Sequence, residues 1–142
     1  MAYFRENWYS SPMPKTIKQK VKFKTTPHAV YEALMDDKQH TAFSGKNAKI
    51  SRKAGGKFAA YDDYIEGENL ELVPDQTIVQ QWRASDWPKG HYSVATFRIK
   101  AAKNGTELVF TQTNIPDNKA KEIAQGWIDF YWNPMKLFLE KK

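Results

Sequence analysis

Between Ile17 and Lys24 apolar and charged positions alternate, with Ile17, Val21 and Phe23 on one side and Lys18, Lys20, Lys22 and Lys24 on the other. A period of two over this length is that of a β-strand with one buried face. The pattern changes at Thr26-Pro27. Thr26 suits an N-cap and Pro27 the first helical position, where a missing N–H costs nothing. Val30, Tyr31, Leu34 and Met35 then recur at helical spacing. Asp36-Asp-Lys-Gln39 reads as a second cap and Gly45 as a stop, so two short consecutive helices are expected.

From about residue 47 to 115 the signals are strand and turn. Strands are predicted at Ala48–Ser51, Lys57–Tyr61, Tyr64–Val73, Thr77–Ala84, His91–Ala101 and Glu107–Ile115. The joints are Gly55-Gly56, Pro74-Asp75, Trp87-Pro-Lys-Gly90 and Asn104-Gly105. The last predicts a type I′ hairpin, whose two central residues must tolerate positive φ. After Ile115-Pro116, Asp117 or Asn118 is expected to cap a helix running to about Glu140. Its apolar stripe comprises Ile123, Trp127, Tyr131 and Phe138, with Ala124, Ile128 and Met135. Packing of that stripe has to hold the helix, because propensity alone contributes little. Pro134 deprives the Phe130 carbonyl of its α-helical donor, so a kink is expected there.

Strand, two helices, six strands and a long helix together predict an α+β fold of the helix-grip type. In it a curved antiparallel sheet wraps around a long C-terminal α-helix, and the gap between them tends to become a cavity. Residues 1–14 carry Trp8, Tyr9, Pro12 and Pro14 without periodicity and read as an N-terminal arm whose aromatics pack on the body. Residues 15–142 read as a single domain.

Length and composition narrow the function. A chain of 142 residues buries roughly 70% of its unfolded surface, enough for a full core. The absence of cysteine excludes a disulfide framework, thiolate zinc sites and a cysteine nucleophile. No secretory leader is recognisable, and no apolar run approaches the ~20 residues of a membrane helix. A cytoplasmic protein without a membrane partner is therefore expected. The net charge of +6 can steer an acidic partner without requiring nucleic acid.

Catalytic signals are weak. His28, His40 and His91 have no metal-ligand spacing to one another or to other ligands. Asp62 and Asp63, read as strand neighbours, would point to opposite faces and share no proton. Gly55-Gly-Lys57 is followed by Phe58 and lacks the upstream glycine of a P-loop, and no serine has a nucleophile-elbow context. An enzymatic role would need a buried acid, base or tyrosine pair facing the cavity, and no convincing pair is present. Binding without a cofactor or metal is the expectation.

Two candidate surfaces remain. Lys18, Lys20 and Lys22 form a basic stripe suited to an acidic protein surface, and Trp87, in a turn, is expected to be partly exposed beside a partner. No aromatic platform interleaves the stripe, which argues against nucleic acid. Alternatively, Phe58, Trp82, Tyr92, Phe97, Trp127, Tyr131 and Met135 would line a cavity of about 300–1,000 Å³ for a small apolar ligand.

A set of short motifs occurs in one order: Gly55-Gly-Lys-Phe58, Glu66-Gly67, Leu70-Glu-Leu-Val-Pro74, Ile78-Val-Gln-Gln-Trp-Arg83, Trp87-Pro-Lys-Gly-His91, Thr106-Glu-Leu108, Ile115-Pro116 and Gly126-Trp127. In order and spacing this resembles the C-terminal domain of the activators of the 90-kDa heat-shock protein's ATPase, within the START-like (SRPBCC) superfamily. The resemblance covers about residues 15 to 140. It implies the helix-grip fold, a co-chaperone-type role against a 90-kDa heat-shock chaperone, and superfamily precedent for small apolar ligands. Eukaryotic activators carry a separate N-terminal domain, for which 142 residues leave no room.

Overall fold

The alternating stretch forms strand β1 (Lys15–Phe23), with Val21 and Phe23 buried and its lysines in solvent. The structure, a computed structural model, describes residues 13–140. The expected arm falls almost wholly outside the described residues. Helix α1 (Pro27–Met35) starts where expected, the Ala29 N–H donating to Thr26 Oγ1 at 3.1 Å. Asp36 ends α1 and begins α2 (Asp37–Ser44), accepting from the Gln39 N–H at 3.0 Å. Gly45 closes α2 at φ 76°, a left-handed conformation that glycine adopts without a Cβ penalty.

Strands β2 (Lys49–Ile50), β3 (Lys57–Ala60), β4 (Ile65–Val73), β5 (Thr77–Ala84), β6 (Ser93–Ala102) and β7 (Gly105–Ile115) follow. Among the described residues the sheet has seven strands in the order β1-β7-β6-β5-β4-β3-β2. Every pairing is antiparallel. The first strand thus pairs with the last, Lys15 lying opposite Ile115.

The β6–β7 hairpin turns one residue earlier than expected. Ala102 pairs with Gly105, leaving Lys103 and Asn104 at the tip with Asn104 at φ 63°. Gly105 belongs to the strand, where a Cβ would lie 2.1 Å from the Phe23 carbonyl oxygen. The glycine serves close approach to the end of β1, not the turn itself.

The long C-terminal helix departs from expectation at three points. It opens with a 3-10 turn, Asp117–Lys119, and no side-chain cap. Asp117 turns instead toward the Lys15 ammonium, 3.5 Å away. It then runs as α3 (Ala120–Trp127), a π-helical turn (Ile128–Trp132) and α4 (Asn133–Leu139). The break expected at Pro134 takes the form of this π turn just before it, the Asn133 N–H donating to the Ile128 carbonyl. The extra residue re-phases the apolar face. Trp127, Tyr131, Trp132 and Met135 are buried, while Ile128 and Phe138, assigned to the stripe by a uniform helical period, stand partly exposed. The Phe130 carbonyl is the one that loses its donor to Pro134, and the Tyr61 hydroxyl supplies a replacement.

Two indoles tie this helix to the sheet. Trp127 Nε1 donates to Gln112 Oε1 on β7 at 2.8 Å, and Trp132 Nε1 donates to Gln19 Oε1 on β1 at 2.6 Å. Each glutamine is itself held: Gln112 Nε2 donates to Ser93 Oγ and Gln19 Nε2 to the Ala124 carbonyl. Around them the core is Phe23, Met35, Ile78, Leu108, Phe110 and Met135, all fully buried. His40 of α2 reaches the same layer, 2% exposed, with Nε2 3.0 Å from the Tyr131 hydroxyl. Burial holds its pKa down at about 4.

Tyr61→Phe leaves the Phe130 carbonyl without its donor and should cost about 1–2 kcal/mol in urea unfolding. The loss should shrink in a Pro134→Ala background, where the substituted residue brings a backbone N–H to the same carbonyl; equal losses in both backgrounds would refute the pairing. His40 is neutral in the fold and titrates near its ordinary value in the unfolded chain. Stability is therefore full above about pH 6.5 and falls as pH drops toward about 4, by about 3 kcal/mol from this group. His40→Asn should remove that component of the slope in denaturation experiments across this range.

Candidate binding cleft and surfaces

Trp127 occupies the middle of the space between helix and sheet. Its ring lies 4.3 Å from Phe110, 4.3 Å from Tyr131, 5.6 Å from Trp82 and 5.7 Å from Phe97, and it stacks on Trp132 at 5.4 Å. What remains at the centre is a void of about 20 Å³ bordered by Phe58, Phe97, Trp127, Tyr131 and His40. That is room for about one water molecule. The centre is sealed.

The space opens toward one end. There a mostly apolar cleft of about 440 Å³ lies between α3 and the β3–β4 corner. Trp82, Trp127 and Tyr131 form its inner wall, Ile123 and Gly126 come from α3, and Ile65 from β4. Tyr61, Tyr64 and Phe130 stand around the mouth, with Lys46, Asp62 and Glu122 as its charged lining. Phe130 is 58% exposed, a large apolar side chain left in water at the opening.

The corner that shapes this cleft is a turn, not the continuous strand pair that placed Asp62 and Asp63 on opposite faces. Tyr61, Asp62 and Asp63 all have left-handed φ, at 54°, 56° and 71°. The Asp62 carboxylate accepts from the Asn47 N–H at 2.9 Å, and the Asp62 N–H returns to the Asn47 carbonyl. Burial raises the Tyr61 and Tyr131 pKa values, so both remain neutral hydroxyls at ordinary pH. Burial and the hydrogen bond to Asp86 push Tyr64 up to about 12.

Of the seven residues expected to line a cavity, three border the cleft: Trp82, Trp127 and Tyr131. Phe58 and Phe97 border the central void, and Met135 is wholly buried in the core. Tyr92 is on the wrong side of the sheet. Ser93 pairs with Trp82 and points inward, so its chain neighbour points outward. The Tyr92 hydroxyl accordingly donates to Glu66 Oε2 at 3.0 Å, and the Arg83 guanidinium sits 6.0 Å from its ring.

Trp87 overturns its expectation as well. It is 4% exposed and packs 5.4 Å from Trp82. The turn folds inward because Arg83 Nη2 donates to the Trp87 and Pro88 carbonyls. Lys18, Lys20 and Lys22 are exposed as expected. The register sets Lys20 beside Val109 and Arg98, and Lys22 beside Glu107 and Lys100, so the basic face spreads over β1, β7 and β6. Only Glu107 interrupts these rows with an acid, and it lies 3.9 Å from Lys100. Tyr61, Tyr64, Gly126 and Phe130 were not singled out from the sequence as site residues. The sole signal was the Asp62-Asp63 pair between two tyrosines, a combination that tolerates left-handed backbone.

No helix among the described residues is long and apolar enough to cross a membrane. In comparisons with known proteins, the chain is 32% identical over 114 residues to the activator of 90 kDa heat shock protein ATPase homolog 1 of Homo sapiens, covering 80% of this chain and 34% of that one. The homologous activator of Dictyostelium discoideum is 32% identical over 117 residues, covering 82% and 30%. The chain thus spans about a third of the length of these curated relatives. Among solved structures, an HSP90 activator from Plasmodium falciparum superposes with a TM-score of 0.83 at 26% identity, over 88% of this chain and 96% of that one. The family model described as activator of Hsp90 ATPase homolog 1-like protein matches residues 24–140, from the end of β1 to the end of the long helix, and the chain belongs to that family.

Proposed function

We propose that the chain is a co-chaperone-like binding domain for a 90-kDa-type heat-shock chaperone, working in the cytoplasm and carrying out no chemistry of its own. The family is named for activating an ATPase, not for being one. The solved chain of the P. falciparum HSP90 activator is matched over 96% of its length, which favours a unit of this size as the active part. In this reading the domain fits one conformer of the chaperone better than another and shifts the balance between them.

The basic face carries the proposal. Lys18, Lys20 and Lys22 project from β1 in register with Arg98 and Lys100, and the three β1 lysines make no ion pair among the described residues. Such a face speeds encounter with an acidic partner and selects its orientation more than it adds affinity. Trp87, being buried, is left out of the contact surface. The sealed centre also weighs against a carrier of small ligands beneath the helix.

Replacing Lys18, Lys20 and Lys22 together by Glu should weaken chaperone binding about tenfold, with a steeper loss at low salt than at high salt. Stability should stay within about 0.5 kcal/mol per site, since these are surface positions. Binding and stimulated ATP hydrolysis would be measured with the chaperone of the same organism. No association at high micromolar concentration would refute the proposal.

A further inference from the structure

Half the residues that line the cleft beside α3 are aromatic: Tyr61, Tyr64, Trp82, Trp127, Phe130 and Tyr131. Most of their polar atoms are committed to the protein itself. The Tyr61 hydroxyl donates to the Phe130 carbonyl, the Tyr64 hydroxyl to Asp86 and the Trp127 indole to Gln112. The Tyr131 hydroxyl pairs with His40. The wall therefore presents ring surface to a guest more than hydrogen-bond donors.

Charge at the same place points one way. The chain carries a net +6, yet the cleft lining holds two carboxylates, Asp62 and Glu122, against the single ammonium of Lys46. Asp62 accepts from the Asn47 N–H, and neither carboxylate forms an ion pair among the described residues. After burial and the bond to Asp86, the Glu122 charge also raises the Tyr64 pKa, which sets that carboxylate near the aromatic mouth. Aromatic faces carry negative potential and attract cations, the more so where water is excluded. Rings and carboxylates in one hollow thus favour the same guest. An anion would face two like charges and one ammonium.

We propose that the cleft binds a small organic cation, an ammonium or quaternary ammonium group joined to an apolar body. Its volume of about 440 Å³ lies in the usual range for small-molecule sites and leaves room for that body. The body rests on the inner wall, against Trp82 and Ile123, and the charged end stays at the rim with Tyr64, Asp62 and Glu122. Gly126 keeps the helix side of the hollow bare, since a Cβ there would meet only the Phe130 ring, at 3.8 Å. The cleft shares no residue with the basic face of β1, β7 and β6, so either binding role can fail without the other.

Benzyltrimethylammonium, benzyl alcohol and phenylmethanesulfonate present one body with positive, zero and negative charge. Each would be titrated into the full ¹⁵N-labelled chain and followed by amide shifts. The cation should bind with a Kd of about 1 mM or below, about tenfold more tightly than the other two. Its shifts should centre on residues 61–65 and 122–131, which carry the lining. Glu122→Gln should weaken the cation about threefold or more and leave benzyl alcohol unchanged, and Lys46→Gln should strengthen the cation. Gly126→Leu, which fills the hollow from the helix side, should abolish binding. Equal affinity for the cation and the alcohol would overturn the proposal. So would shifts centred away from the cleft, or no saturation by the cation at about 10 mM. Should Gly126→Leu fail to fold, the charge series and Glu122→Gln still decide.

Discussion

Two buried indole-to-glutamine hydrogen bonds set where the long helix sits. Apolar packing is non-directional and would tolerate a helix rotated or slid by a residue. The bonds from Trp127 to Gln112 and from Trp132 to Gln19 tolerate neither, because an unpaired indole or amide in this layer costs its full desolvation. Residues five apart in an ordinary α-helix point some 140° apart. Both indoles reach the sheet because the π turn between them absorbs one residue. That turn ends just before Pro134, whose missing donor is made good by Tyr61 from the strained corner. The sealed core and the open cleft are thus outcomes of one constraint.

This division separates the molecule's two kinds of surface. Beneath the helix, aromatic rings consume the volume that the helix-grip arrangement could leave for a ligand. Outside, the sheet presents charge whose pattern depends on strand pairing: lysines distant in sequence from Arg98 and Lys100 become neighbours through β7. The described residues thus combine a filled centre with a charged sheet face and one apolar cleft at the end of the helix.

Elements governed by local chemistry were legible in the sequence. Thr26-Pro27, Asp36 and Gly45 each act through atoms within four residues, and each does what its residue type predicts. The β-strands followed from alternation, with ends shifted by a residue or two. Features decided by distant partners were not legible. Asp117 forgoes its capping role because Lys15 arrives from the opposite end of the chain. Trp87 is drawn inward by Arg83, against the usual exposure of a Pro-Gly turn. Tyr92 missed the cavity by a single position, since a one-residue difference in strand phase exchanges the two faces of a sheet. The site's aromatic wall was foreseen in Trp82, Trp127 and Tyr131, whereas its mouth depends on a corner with no periodic signature.

The pairing of β1 with β7 also governs when the protein can exist. A strand made first must wait for a strand about a hundred residues later, and the helix that covers both is made last. Such long-range closure slows folding relative to chains built from local contacts. During synthesis, Trp82, Phe97 and Phe110 have no cover until Trp127 and Trp132 emerge, and both edges of the growing sheet stay open. A nascent chain in that condition is itself prone to aggregate and in need of protection. The fold thus passes through a stage at which it presents the kind of apolar surface and open sheet edge that chaperones shield.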